Sequence, residues 1–104
     1  MLEISHGKVV RVIALSREYG PESVKLSDYI SGLNDDEKSN LVALMWIGRG
    51  SFEPEELEYA KEEARREATA PTESYLSGIP SLPEHLESGL EALGIDVTDA
   101  EDNL

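Results

Sequence analysis

The chain has no cysteine. That excludes disulfides, thiolate nucleophiles, thiolate zinc sites and iron–sulfur clusters together, and it suits a reducing cytoplasm. Histidine occurs only at positions 6 and 85. A ferritin-like dimetal centre needs a Glu-x-x-His on each of two helices, and the chain does not supply that pair. The His-Glu-x-x-His of zinc proteases is missing as well. His6 and His85 therefore read as surface or boundary residues, and no metal site or cofactor is expected. There is no long apolar run either: the longest, Leu41 to Ile47, falls far short of the roughly 20 residues of a membrane-spanning helix. The first residues carry no basic stretch followed by an apolar one, so no signal peptide is expected. These features point to a cytoplasmic protein.

Positive charge is the other scarce commodity. Nine Lys and Arg face 22 Asp and Glu, for a net charge of −13. The imbalance is uneven: residues 1–66 sum to −4, while residues 67–104 hold nine acids and no Lys or Arg. Phosphate backbones and anionic lipid surfaces are bound by Lys and Arg, so neither nucleic acid nor a membrane is an expected partner. A basic protein is, since opposite charge speeds encounter.

What remains is ordinary for one folded domain: 104 residues, 39% hydrophobic and 30% charged. Ser5 and Gly20 bracket a first helix with Val9, Val12 and Ile13 on one face. Residues 22–33 carry partial helical spacing. Asn34 and Glu37 form a capping-box pattern, and Asp35, Asp36 and Glu37 complement the helix dipole. From Leu41 to Ile47 the helix is apolar all round, the mark of a buried centre, and Gly48 and Gly50 are expected to end it through positive φ. Pro54 suits a helix first turn, and Leu57, Ala60, Ala64 and Ala68 make a narrow stripe of mostly small residues. Glu58–Lys61, Glu62–Arg65 and Glu62–Arg66 are spaced to pair on its surface. A short helix follows Pro71, and Ser81 with Glu84 suggests a second capping box before Leu82, Leu86, Leu90 and Leu93. The expected fold is all-α: a compact orthogonal bundle of five to six short helices around a buried central one. Residues 1–94 form the domain, and 95–104 an acidic, frayed tail.

Two blocks, LVALMWIGRG at residues 41–50 and SYLSGIPSLPEHLESGLEALG at 74–94, resemble a small bacterial helical family known only as a domain of unknown function. The resemblance extends over most of residues 5–94 and is loosest between Gly20 and Asn34. It implies a helical fold and brings no activity, cofactor or catalytic residue.

No motif for chemistry stands out. Carboxylates are abundant, but acid–base work needs one of them buried, and those of residues 53–67 fall mostly on a polar face. Neither a dinucleotide fingerprint, nor a P-loop, nor a nucleophile elbow is present. Two spots combine residue types favoured in recognition. Trp46 and Arg49 sit at the end of the central helix, where an aromatic surface and a forked cation can meet a carboxylate or phosphate; core packing of Trp46 is the simpler alternative. Tyr75 lies at a helix junction, as a docking corner or as a plug between helices. The face Leu82, Leu86, Leu90 and Leu93 is a candidate for homodimerisation. The leading functional expectation is a non-enzymatic protein-interaction or regulatory domain. The alternative is a small enzyme or ligand-binding domain with a site near Arg49. A helix–turn–helix DNA reader over residues 71–93 would aim Glu84, Glu87 and Glu91 at phosphates, the wrong sign.

Overall fold

A computed structural model describes residues 2–67 and 70–95. Among these are six α-helices: α1 (His6–Tyr19), α2 (Val24–Ser31), α3 (Asp35–Arg49), α4 (Leu57–Arg66), α5 (Thr72–Ser77) and α6 (Leu82–Ala92), with a 3-10 turn at Pro54–Glu56 leading into α4. No strand occurs among the described residues, and none of their helices is long and apolar enough to cross a membrane. The fold is all-α, as the periodicity implies.

α3 is the hub. Its capping box forms in full: the Asn34 side chain accepts the Glu37 N–H at 2.8 Å, and the Glu37 carboxylate accepts the Asn34 N–H at 3.0 Å. Each residue from Leu41 to Ile47 is buried, because α6, α4 and α5 all pack against this helix. α1 rests on α6 and α2, and α2 on α5. The Cα radius of gyration is 12.2 Å, close to the ~13 Å expected for a compact chain of about 100 residues.

The glycines of α3 differ from expectation. Gly50 does end the helix, at φ 89°, and Ser51 N–H then reaches back to the Trp46 carbonyl at 2.9 Å, closing a Schellman turn. Gly48 lies inside the helix. A methyl group there would stand 1.7 Å from the His85 carbonyl oxygen, and one on Gly89 would stand 2.5 Å from the Leu44 carbonyl oxygen. The two glycines thus let α3 and α6 cross with their backbones in contact. The Ser81–Glu84 capping box is likewise absent. Ser81 adopts φ 58° and caps nothing with its side chain, because the turn after Pro80 occupies the left-handed region.

Polar anchors hold the N-terminal segment over this core. Asn40, fully buried, accepts the Glu3 N–H at 2.8 Å and donates to the Asp36 carbonyl at 2.7 Å. Lys61, expected on the surface, is 3% exposed and pairs with both Glu3 and Glu58 at 2.9 Å. Burial pulls its pKa down, but the two carboxylates outweigh this and leave it raised. Arg65 turns to Glu3 and Asp36 rather than Glu62, and Arg66 to Glu63. Lys8 pairs with Glu37, and Arg17 with Glu84 and Glu87. Residues 96–104, most of the expected tail, lie outside the described residues. Ile95 belongs to the fold instead: it packs against the core and its N–H bonds the Leu90 carbonyl.

Two predictions follow from these contacts. Gly48→Ala must push α6 away from α3 and should cost about 3 kcal/mol. Gly50→Ala, with open space around it but a left-handed backbone, should cost about 1–2 kcal/mol. Urea titrations giving equal losses for the two would refute the backbone-contact account. The second concerns pH. Glu37 is held below the usual carboxylate range by the Lys8 ammonium and then by the Asn34 N–H, Glu3 by Lys61, and Glu87 by Arg17. Lowered folded-state values mean stability that is complete above the unfolded carboxylate pKa and is lost as pH falls through the lower folded values. The urea midpoint should therefore hold from pH 7 to about 5 and drop towards pH 3. Glu37→Gln, which can still accept the Asn34 N–H, should shrink that drop.

Candidate functional site

The three residues singled out at the two recognition spots come together in space. The Trp46 indole N–H donates to the Tyr75 hydroxyl oxygen at 2.9 Å, joining the end of α3 to α5. Trp46 is 7% exposed and belongs to the core on one side; Tyr75 is 37% exposed. Because Tyr75 accepts from the indole, its own O–H remains free to donate. The Schellman turn at Gly50 then swings Phe52 back onto Trp46, with ring centroids 5.6 Å apart. Phe52 meets Tyr59 of α4 edge to face at 5.7 Å, and Tyr59 is 53% exposed. Tyr75, Trp46, Phe52 and Tyr59 make one row, open to water at both ends. Such ring geometries carry roughly 0.5–1.5 kcal/mol per pair beyond burial.

Two adjoining hollows flank the row. One, of about 180 Å³, is walled by Val42, Trp46, Ala64 and Tyr75 with Glu67 at its edge. The other, about 250 Å³, is lined by Trp46, Arg49, Phe52, Glu63, Glu67 and Tyr75. Arg49 is exposed and its Nε donates to the Ser51 hydroxyl at 3.1 Å; no acid pairs with it among the described residues. Glu67, exposed at the end of α4, has no cation partner among them either.

The leucine face fares differently. Leu82, Leu86 and Leu90 are 1%, 0% and 0% exposed, filled in by α3 and α1, and only Leu93 is partly open. That face was expected to be available for a homodimer; it is spent inside the monomer, because the glycine crossing draws α6 fully against α3. Sequence reasoning missed Phe52, Tyr59 and Glu67. Phe52 follows a helix-ending glycine by two residues, and that spacing is the signal that could have placed it over Trp46.

The arrangement offers contact area, one cation, one free hydroxyl donor and a carboxylate. No group of three or more Asp, Glu or His able to hold a metal ion occurs among the described residues. Among the carboxylates held below the usual range, Glu58 of α4 is lowered furthest, to about 2, and pairs with Lys61, while Glu3, Glu37 and Glu87 anchor the N-terminal segment and α1.

With this geometry in view, comparison with known proteins is informative about family. The sequence model of DUF3775, described as a protein of unknown function, matches residues 23–95. The chain belongs to the DUF3775 family. The match takes in α2 to α6, hence every residue of both hollows and of the aromatic row. It begins at residue 23, so α1, which the resemblance was expected to include, precedes it, while most of the stretch between Gly20 and Asn34 lies within it. No curated protein and no solved structure matches the chain.

Removing the hydroxyl that joins α3 to α5 tests whether the junction is held as described. Tyr75→Phe should leave the buried indole N–H without an acceptor, cost about 1 kcal/mol and move the Trp46 indole proton resonance. Since Trp46 is the sole tryptophan, that resonance is unambiguous. An unmoved signal would show that the bond does not form in solution.

Proposed function

We propose that this DUF3775 chain is a non-enzymatic protein-interaction domain that docks its partner on the aromatic row at the end of α3. One observation carries the reading: Tyr75, Trp46, Phe52 and Tyr59 are in unbroken contact, exposed at both ends, beside an Arg49 without an acidic partner among the described residues. Trp, Tyr and Arg are the residue types that dominate binding energy at protein interfaces, where they combine apolar area with a polar tip. The row is anchored by the core at Trp46, so little side-chain freedom is left to lose on binding.

Charge supports a basic partner. A net charge of −13 draws cations from a distance and speeds encounter, and salt screens that attraction over about 10 Å at 0.1 M. The same charge argues against nucleic acid or an anionic membrane. The cysteine-free composition fits work in a reducing cytoplasm.

The test is affinity capture from native lysate with three baits: the wild-type chain, the Arg49→Ala/Tyr59→Ala double variant, and Val24→Ser as a control. Val24 is 71% exposed on α2, outside the row. The double variant should lose the captured protein and the control should retain it, with yields falling as salt rises. Equal capture by all three baits would defeat the reading.

A further inference from the structure

The smaller hollow has a particular chemistry. It is lined by Val42, Trp46, Ala64, Thr72 and Tyr75 together with Glu67, which is unpaired among the described residues. At about 180 Å³ it has room for one long side chain. Apolar side chains, two aromatic residues and a single carboxylate match a side chain with an aliphatic stem and a cationic head. A neutral apolar side chain would gain nothing from Glu67, and an acidic one would be repelled by it.

We propose that this hollow is the seat of an arginine side chain from the partner protein. The assignment rests on the docking face proposed for the chain and names what fills one of its hollows. The methylene stem lies along Val42 and Ala64, and the guanidinium plane faces Trp46 and Tyr75. Its N–H groups meet the Glu67 carboxylate and the remaining lone-pair capacity of the Tyr75 hydroxyl. Arginine fits better than lysine because a planar, weakly hydrated guanidinium stacks on rings and can pair with a carboxylate through two parallel hydrogen bonds. Arg49 lines the adjoining hollow and sets a limit on what comes next. A second cation there would be repelled, while a backbone carbonyl or a carboxylate would be welcomed by its free guanidinium N–H groups. The site therefore asks for one arginine followed by an acceptor, not for a run of bases.

The test uses the full chain, labelled with ¹⁵N, and three small probes: Nα-acetyl-arginine N-methylamide, its citrulline counterpart and its norleucine counterpart. Citrulline keeps the length and plane but lacks the charge; norleucine keeps only the stem. The readout is the single Trp46 indole resonance. The arginine probe should shift it saturably, with citrulline and norleucine binding at least about threefold more weakly, the scale of one exposed ion pair. Glu67→Gln should bring arginine down to the citrulline level and leave citrulline unchanged, the pattern of a coupled pair. Equal binding of all three probes, or arginine binding indifferent to Glu67→Gln, would overturn the assignment. If arginine does not titrate while lysate capture still depends on Arg49 and Tyr59, the docking face stands and the arginine seat falls. If arginine titrates as expected while capture ignores those residues, the seat stands and the docking face falls.

Discussion

The closest constraint in the molecule is the crossing of α3 and α6 at Gly48 and Gly89. Backbone meets backbone there, and neither glycine has space for a single added carbon. Rigid carbonyls cannot swing aside as a flexible side chain can, so this contact fixes how far apart the two helices lie. Everything on either side inherits that distance. On one side, Leu82, Leu86 and Leu90 are pressed fully into the core. On the other, α3 is set in place against α4 and α5, and its C-terminal turn carries Trp46 and Arg49 to the surface where the aromatic row begins.

The row depends on a second local device. Gly50 in the left-handed conformation closes the Schellman turn, and the chain reverses within two residues. That reversal lays Phe52 on Trp46 and leaves Arg49 pointing to water, tied only to Ser51. Most other cations of the protein are committed elsewhere. Lys8, Arg17, Lys61, Arg65 and Arg66 all hold carboxylates, and Lys25 lies over the Tyr19 ring at 4.3 Å. Arg49, like Arg11 and Lys38, makes no ion pair among the described residues, and it lines the hollow beside Trp46 and Tyr75.

The polar anchors divide the molecule by purpose. Lys61 is buried but satisfied by two carboxylates, and Asn40 is buried with both its acceptor and its donor used. Buried polar groups satisfied in this way specify one arrangement of the N-terminal segment over α3 and α4, since any slip would leave an uncompensated charge or amide inside. Around Tyr75 and Glu67 the tie is a different one, the bond from the Trp46 indole N–H to the Tyr75 hydroxyl. Trp46, buried together with Val42 and Ala64, roots that face in the core.

The sequence alone was sufficient for the elements. Helix periodicity, the Asn34–Glu37 cap, Pro54 and the all-round apolar stretch from Leu41 to Ile47 are local properties, set by neighbours within a turn or two, and all appear in the structure. It also marked Trp46, Arg49 and Tyr75, because rare residue types at helix ends are visible without coordinates. It could not say that they converge, nor add Phe52, Tyr59 and Glu67, because those contacts join α3, α4 and α5. It misassigned Gly48 as a helix end and Ser81 as a cap, and it left Leu82, Leu86 and Leu90 free for a dimer. Each of those depends on what another helix brings to within a few ångströms. Periodicity reports which face of a helix is apolar; only the packing of helix on helix decides whether that face looks inward, and a glycine's missing side chain matters only once a neighbour occupies its place.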